Sequence, residues 1–486
     1  MSRNGEESLA FSQLPLFPFF LSFSFLLPLL SPAQRSYPAS LPKEFHENRR
    51  ELLRDSLKGL SMAAFFSAPV RPRSKDINYG YVQDKDFYYF TGCREKNSLL
   101  LVFSDTVSFD SIRTDELLFL PRRTPARTKW EGPGLGIKGA EERLGITKAL
   151  PHKAFTEFDL HVERYDHIYW LRDKRGLLDN DKAQGDLYSL YHHFKRKTKA
   201  VKERRNYERL DHWRNSMREI KQAPEIRFLE RAIDVTEKAH RSLMKACRPG
   251  IWEYQAEALI EYVFRANGCK GTAFPSIVGS GPNSCILHYS ENGDRMKGSE
   301  VAVVDIGAEY GGYAADITRT LPVDGTFSKE ERAIYELVLK AQKAGIRACQ
   351  PGRRFYAPNQ AARKVVQKGL RELGILGGKN SNLYDHWMHK SSHYLGLDVH
   401  DVGRFGDLRP GNVLTVEPGV YIPEGSNCPV KWWNIGVRIE DDILITENGH
   451  RNLSGDLPRK PEEVEKLMKD SVSFSTFGKS NKKQGP

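Results

Sequence analysis

The segment Val301-Ala-Val-Val-Asp305-Ile-Gly-Ala-Glu-Tyr-Gly-Gly-Tyr-Ala-Ala-Asp316-Ile-Thr constrains the fold of this chain more than any other stretch. Apolar runs flank a glycine-rich centre, the pattern of strand, turn and strand. An even-membered loop centred on Tyr310 and Gly311 sets Asp305 directly opposite Asp316, with Cβ atoms roughly 4.5 to 5.5 Å apart. Directly opposed carboxylates destabilise a sheet. The pair is tolerable where a cation neutralises it, where one proton is shared, or where both groups lie on a solvated face. The apolar residues flanking both positions disfavour the solvated face.

Two further concentrations of polar chemistry follow. His389, His393 and His400 fall within twelve residues of a chain that has 14 histidines. Lys390 stands where a zinc-protease helix motif needs Glu, so the spacing alone leaves ordinary hydrogen-bonded histidines as an open reading. Farther on, Thr415-Val-Glu417-Pro-Gly419 precedes Val437-Arg438-Ile439-Glu440-Asp441-Asp442. In the second run Arg438 and Glu440 point to one side and Val437 and Ile439 to the other, the signature of a half-buried strand. A surface cross-strand ion pair accounts equally well for that run by itself. Together, Asp305, Asp316, His393, Glu417 and Glu440 offer four carboxylates and one imidazole. Such an oxygen-rich set suits two hard divalent ions of the manganese, magnesium or cobalt type, about 3.5 to 4 Å apart in two-metal hydrolases.

Composition narrows the remaining possibilities. With 486 residues, 39% apolar and 28% charged, the chain is a multi-domain globular protein rather than a fibrous or disordered one. Its net charge of +12 invites a nucleic-acid reading, but ten Lys and Arg against three acids lie between His192 and Arg218 alone. That stretch reads as a linker or surface helix with a solvated face, and no nucleic-acid partner is expected. The six cysteines form no C-x-x-C pair, which excludes a thiolate metal site and a dense disulfide scaffold and leaves buried free thiols.

The apolar run Leu14 to Leu30, followed by Ser31-Pro32-Ala33, is either an export signal or an extension that adds nothing to the fold; Glu6, Glu7 and three prolines weaken the signal reading. No other stretch approaches a membrane span. The expected organisation is an α/β (α+β) chain: an extension over 1–44, an amino-terminal α/β domain over 45–200, a basic linker or helix over 201–224, a catalytic domain over 225–469 and a flexible tail over 470–486. Strands are expected at Met62 to Phe66, Leu99 to Phe103, Leu117 to Leu120, His167 to Leu171, Val301 to Val304, Val413 to Val416 and Asp442 to Ile445. Long helices are expected over Glu225 to Met244, Glu253 to Asn267, Glu330 to Cys349 and Asn359 to Leu373.

Two more motifs carry a family likeness: Asp76-Ile-Asn-Tyr79-x-Tyr81-x-Gln83-x-x-x-Phe87-Tyr-Tyr-Phe-Thr91-Gly92, and Gly279-Ser-Gly281-x-Asn283-x-Cys-Ile-Leu-His288-Tyr289-x-Glu291-Asn292. From about Phe45 to Met468 the chain resembles the Xaa-Pro aminopeptidases (aminopeptidase P, peptidase family M24B) of the creatinase/methionine-aminopeptidase superfamily. The resemblance implies an amino-terminal creatinase-like domain followed by a pita-bread metallopeptidase domain. It places Asp305, Asp316, His393, Glu417 and Glu440 on all five of the family's metal-ligand positions, which argues against a creatinase. It implies two divalent ions, expected to be Mn2+, and attack of a hydroxide bridging them on an Xaa-Pro bond. His288 and His400 match substrate-side histidines that would donate to the oxyanion, and Glu417 is the expected proton shuttle. His389 and Arg438 match supporting groups of the site, with Tyr421 beside them. His389 and Tyr421 are also candidates for substrate binding, as is Trp130, matching a Trp that a neighbouring subunit contributes in a homo-oligomer. The chain departs from the family at Lys221-Gln222-Ala223, where Lys-Ser is usual. The expected activity is removal of the first residue from peptides with proline second. Prolidase is the alternative, methionine aminopeptidase fits less well for want of the amino domain, and a non-enzymatic interaction protein fits least. A cytoplasmic location is expected, or export if residues 1–33 act as a signal peptide.

Overall fold

The computed structural model describes residues 39–171, 187–377 and 382–470. The apolar run Leu14 to Leu30 and the tail beyond Asp470 lie outside the described residues. The helix Lys43–Ser56 buries Phe45, Arg49, Arg50 and Leu53 on one face. Arg50 Nε donates to Glu116 Oε2 at 2.7 Å, which pins the helix to the sheet beneath it.

That sheet has six strands in the order Ala149–Pro151, Ile112–Leu120, Leu99–Phe109, Ser61–Phe66, His167–Trp170 and Arg205–Asn206. Alternate residues face two different cores. Ala63, Phe65, Leu100 and Leu118 pack with Phe87 and Phe90 on one side, while Met62, Ala64, Leu101 and Phe119 pack with Phe155 and Phe194 on the other. A sheet covered on both faces needs near-continuous apolar strands, which explains runs such as Leu99 to Phe103. The sheet extends past the boundary expected at residue 200, because Arg205–Asn206 pairs in parallel with His167–Trp170. The stretch read as a solvated linker therefore contains an edge strand and the helix Glu208–Glu219, and Arg218 within it is buried.

In the carboxy-terminal half, four long helices, Ala223–Ala246, Glu253–Ala266, Lys329–Ala348 and Ala357–Glu372, back several short antiparallel sheets. Val301–Ile306 pairs on one side with Ile277–Ser280 and on the other with Ile317–Pro322. Val413–Val416 pairs with Asp441–Thr446, and Gly419–Ile422 with Ile435–Arg438. The two halves share a core, in which Phe87, Tyr88 and Tyr89 meet Leu229, Tyr313, Leu395 and Leu397.

The hairpin register differs from the expected one by two residues. Tyr310 pairs with Tyr313 and Glu309 with Ala314, so the turn is Gly311-Gly312, and Asp305 lies opposite Thr318 rather than Asp316. Both glycines have positive φ, 62° and 101°, the requirement of the tightest hairpin turns, which a Tyr310-Gly311 turn meets poorly. Because the slip is an even number, Asp305 and Asp316 stay on one face as diagonal neighbours. Asp316 falls between two short paired segments and gives its backbone N–H to Asp442 Oδ2 at 3.2 Å. A Cβ on Gly311 would meet the Phe228 ring at 2.2 Å. Gly311→Ala is therefore expected to destabilise the protein by about 1–3 kcal/mol, read as a lowered denaturant midpoint at unchanged slope.

Candidate active site

Each acidic side chain of the site stands where a strand stops. Asp305 is near the end of Val301–Ile306, Asp316 just precedes Ile317–Pro322, and Glu417 just follows Val413–Val416. Glu440 sits between Ile435–Arg438 and Asp441–Thr446 and gives its N–H to Thr318 O at 3.1 Å. His393 enters from the loop side, its carbonyl accepting from Thr415 N at 3.0 Å, while Glu417 N donates to Ser391 O at 3.0 Å. Strand ends meeting from several sheets thus bring together residues more than a hundred positions apart.

They converge on a cavity of about 750 Å³ that Asp305, Asp316, His393, Glu417 and Glu440 all line. Donor atoms of Asp316, His393 and Glu440 lie within 4.8 Å of one another. His393 Nε2 is 3.4 Å from Asp316 Oδ2 and 3.4 Å from Glu417 Oε1. Its Nδ1 lies 3.1 Å from Tyr394 O and donates there, which leaves the Nε2 lone pair aimed at the carboxylates. Burial holds this imidazole neutral, with its pKa lowered to about 4.

The carboxylates are crowded and under-satisfied. Asp305 Oδ1, Asp316 Oδ1 and Glu440 Oε1 are buried with no hydrogen-bond partner. Burial, reinforced by Glu440, Asp305, Asp442 and Glu417, pushes the Asp316 carboxyl well above the usual range. Burial with Glu417 and Asp305 does the same to Glu440. Glu417 rises to about 8, chiefly through burial, with Arg438 pulling it down and Asp305 pushing it up. Unpartnered buried oxygens beside a neutral imidazole lone pair are the donor chemistry that fits divalent cations, and oxygen-rich sets favour hard ones.

One cation and a relay of hydroxyls hold this cluster in place. Arg438 Nη2 donates to Asp305 Oδ2 at 2.7 Å, and Nη1 to the Tyr421 hydroxyl at 2.8 Å. The Tyr421 O–H donates to His389 Nε2 at 2.9 Å, so His389 Nδ1 carries the proton that Lys390 O accepts, also at 2.9 Å. Arg438 Nε donates to Thr318 Oγ1 at 3.2 Å, and that hydroxyl donates to Glu440 Oε2 at 2.6 Å. Thr318 was not among the sequence candidates, although it lies two residues from Asp316 and so on the same face. Arg438 and Glu440 do share a side, but Val437 and Ile439 opposite them are also fully buried, so the run is not half-solvated.

His288, His389 and His400 line the cavity with apolar neighbours that include Phe274, Ile277 and Phe405. The His400 ring stacks edge-on against His393, with centroids 4.4 Å apart. Tyr421 is buried behind the cavity rather than lining it. Trp130, on the helix Pro125–Glu131, is 87% exposed and does not line the cavity.

Carboxylates and an imidazole at converging strand ends, lining a cavity with further histidines, are the architecture of metal-dependent hydrolysis. Comparison with known proteins agrees. Residues 227–447 match the model of metallopeptidase family M24, and residues 45–169 that of the aminopeptidase P N-terminal domain. The Xaa-Pro aminopeptidase of Escherichia coli (strain K12) is 36% identical over 445 residues, covering 88% of this chain and 98% of that protein. The mitochondrial intermediate cleaving peptidase 55 of Arabidopsis thaliana is 32% identical, covering 87% and 83%. Zinc-substituted Escherichia coli aminopeptidase P in complex with product superposes with a TM-score of 0.80 at 35% identity, covering 90% of this chain and all of that one. The chain belongs to metallopeptidase family M24, with an aminopeptidase P amino-terminal domain ahead of the pita-bread domain.

Proposed function

We propose that this protein is a metalloaminopeptidase that releases the first residue from peptides with proline in the second position. The observation that carries the reading is the convergence of Asp305, Asp316, His393, Glu417 and Glu440 on one cavity with unpartnered carboxylate oxygens turned inward. These five would hold two divalent ions, which we take to be Mn2+. Bound there, the ions would lower the pKa of water towards about 7 and polarise the scissile carbonyl.

The side chains of the chain do the rest. Glu417 lines the cavity with Oε1 3.4 Å from His393 Nε2, where it is suited to take a proton from the attacking water and deliver it to the leaving nitrogen. His400, kept neutral by burial, presents an N–H to the oxygen that gains charge, and His288 faces the same space. Arg438 and Tyr421 fix Asp305 and His389, so these two act by positioning. The nitrogen of an Xaa-Pro bond carries no hydrogen, so a pocket that selects it can exclude ordinary amides by shape and by an unmet donor or acceptor.

The domain limits we adopt are 45–200 for the amino domain, moved on to Asn206 by its edge strand, and 225–469 for the catalytic domain. The 87% exposure of Trp130 suits a residue offered to a second copy of the chain, and supports a homo-oligomer. Among the described residues no helix is long and apolar enough to cross a membrane. We place the protein in the cytoplasm, with export as the alternative; a mass lacking residues 1–33 would mark export.

The deciding experiment is cleavage of Arg-Pro-Pro by the purified protein with and without Mn2+. Release of Arg, dependent on the ion, is the expected result. Turnover of Ala-Pro with no cleavage of Arg-Pro-Pro would instead identify a prolidase.

A further inference from the structure

Arg218 lies outside the cavity, near the end of the helix Glu208–Glu219, and is 2% exposed. Its guanidinium faces carboxylates from separate parts of the chain. Nη1 donates to Asp86 Oδ1 at 2.7 Å, and Nη2 donates to Asp398 Oδ2 at 2.8 Å and to Asp401 Oδ1. Asp86 belongs to the helix Lys85–Thr91 of the amino-terminal half, and Arg214, one turn before Arg218, donates to its other oxygen at 2.8 Å. Asp401 is held a second time, its Oδ2 lying 3.0 Å from the buried Lys221 Nζ. Desolvating a guanidinium is costly unless its planar fork is matched by acceptors, so this cluster favours one arrangement over any displaced one.

Asp401 directly follows His400. Its backbone N–H donates to Tyr394 O at 2.8 Å, and Tyr394 directly follows His393. The bridge between Tyr394 and Asp401 therefore sets the two imidazoles side by side. The space around it is full: a Cβ on Gly396 would meet Asp401 Oδ2 at 2.1 Å, and one on Gly403 would meet the Tyr394 ring at 2.3 Å. Among the described residues no side-chain hydrogen bond holds the His400 ring, so its place depends on where the loop is anchored.

We propose that Arg218 is a positioning residue for His400, carrying the seat of the amino-terminal half, through Asp86, to the loop that presents the imidazole to substrate. The inference deepens the proposed function and rests on His400 acting there on the substrate side. It also gives the amino-terminal half an indirect part in catalysis, through the placing of His400.

Arg218→Lys keeps the charge but loses the fork that reaches three carboxylates at once. In the Mn2+-loaded protein it is expected to lower kcat on Arg-Pro-Pro by about tenfold or more, with KM changed less than about threefold. Amide exchange over residues 396–403 should quicken while that of Val301–Ile306 stays as in the parent. The mutant cycle separates positioning from general damage. In a His400→Ala background Arg218→Lys should cost less than about twofold, and in a His288→Ala background its full factor. Should Arg218→Lys fail to fold, Asp398→Asn, at a carboxylate 43% exposed, serves in its place, with an expected loss of about threefold that again disappears without His400. Equal losses with and without His400, or parental kcat in a folded Arg218→Lys protein, overturn the inference alone. A parent that leaves Arg-Pro-Pro intact, or a His400→Ala variant as fast as the parent, overturns the proposed function and the inference together.

Discussion

Asp316→Ala is expected to slow Xaa-Pro cleavage by roughly 10³-fold or more, beyond the 10- to 100-fold typical of groups that only support metal ligands. The same change is expected to leave the metal-free protein at least as stable as the parent. The two effects share one cause. In the absence of ions the Asp316 carboxyl is buried among Glu440, Asp305, Asp442 and Glu417, and each of these raises its pKa. Deleting it removes a destabilising neighbour from the other four and leaves its backbone N–H bond to Asp442 in place. With ions bound, the proposed assignment would make the same oxygen atoms ligands, and their loss would open the site. Steady-state kinetics on Arg-Pro-Pro, paired with thermal melts of the chelated proteins, reads both effects. A variant that cleaves at the parental rate would remove Asp316 from the site.

The second large effect is a reversal of pH dependence on metal binding. In the metal-free protein, Asp316, Glu440 and Asp442 have pKa values raised well above the usual range by burial, and Glu417 is raised to about 8. The folded state then holds protons that the unfolded chain releases near pH 4. Their stabilising contribution is complete below that pH and is lost as the pH rises towards about 8. Buried histidines act in the opposite sense. His46 and His240 are lowered by burial to about 4 and about 3, so the unfolded chain takes up protons below about pH 6.5 that the folded chain refuses. Stability is therefore lost on that side as the pH falls. Above about pH 6.5 only the carboxyls still act, so the chelated protein should lose about 5 °C or more of melting temperature between about pH 6.5 and about pH 8.5. The Mn2+-loaded protein should show much less alkaline loss, because the ions would replace the protons on Asp316, Glu417 and Glu440, and loading at pH 7 should release about three protons per chain. Identical alkaline limbs with and without ions would show that the carboxylates are not the ligands.

Much of this site was legible before any coordinates, and the remainder was hidden for definite reasons. The shared face of Asp305 and Asp316 follows from strand alternation alone, and it survived an error of two residues in register because parity is unchanged by an even slip. The turn falls on Gly311-Gly312 rather than Tyr310-Gly311 because only a glycine pair meets two positive φ values at no steric cost. Donor chemistry groups His393 with Glu417 and Glu440, and the family likeness puts them on ligand positions; no periodicity links loops so far apart. Thr318 escaped notice because its role depends on Glu440, 122 residues away in the chain. Arg218 was hidden by its basic neighbours, in a run whose composition suggests a solvated face, whereas its Asp86 and Asp401 partners come from distant segments. Trp130 does not line the cavity, and its expected place at the substrate came from the family likeness alone.

The central claim is that five side chains from separate strand ends hold two divalent ions that the chain needs for cleavage. Titrating the chelated protein with Mn2+, while following bound metal and Arg release from Arg-Pro-Pro in the same samples, tests it most directly. The account predicts activity that is absent without metal and reaches its plateau at two ions per chain. Full activity in metal-free protein, or a plateau reached with no ion bound, would contradict it.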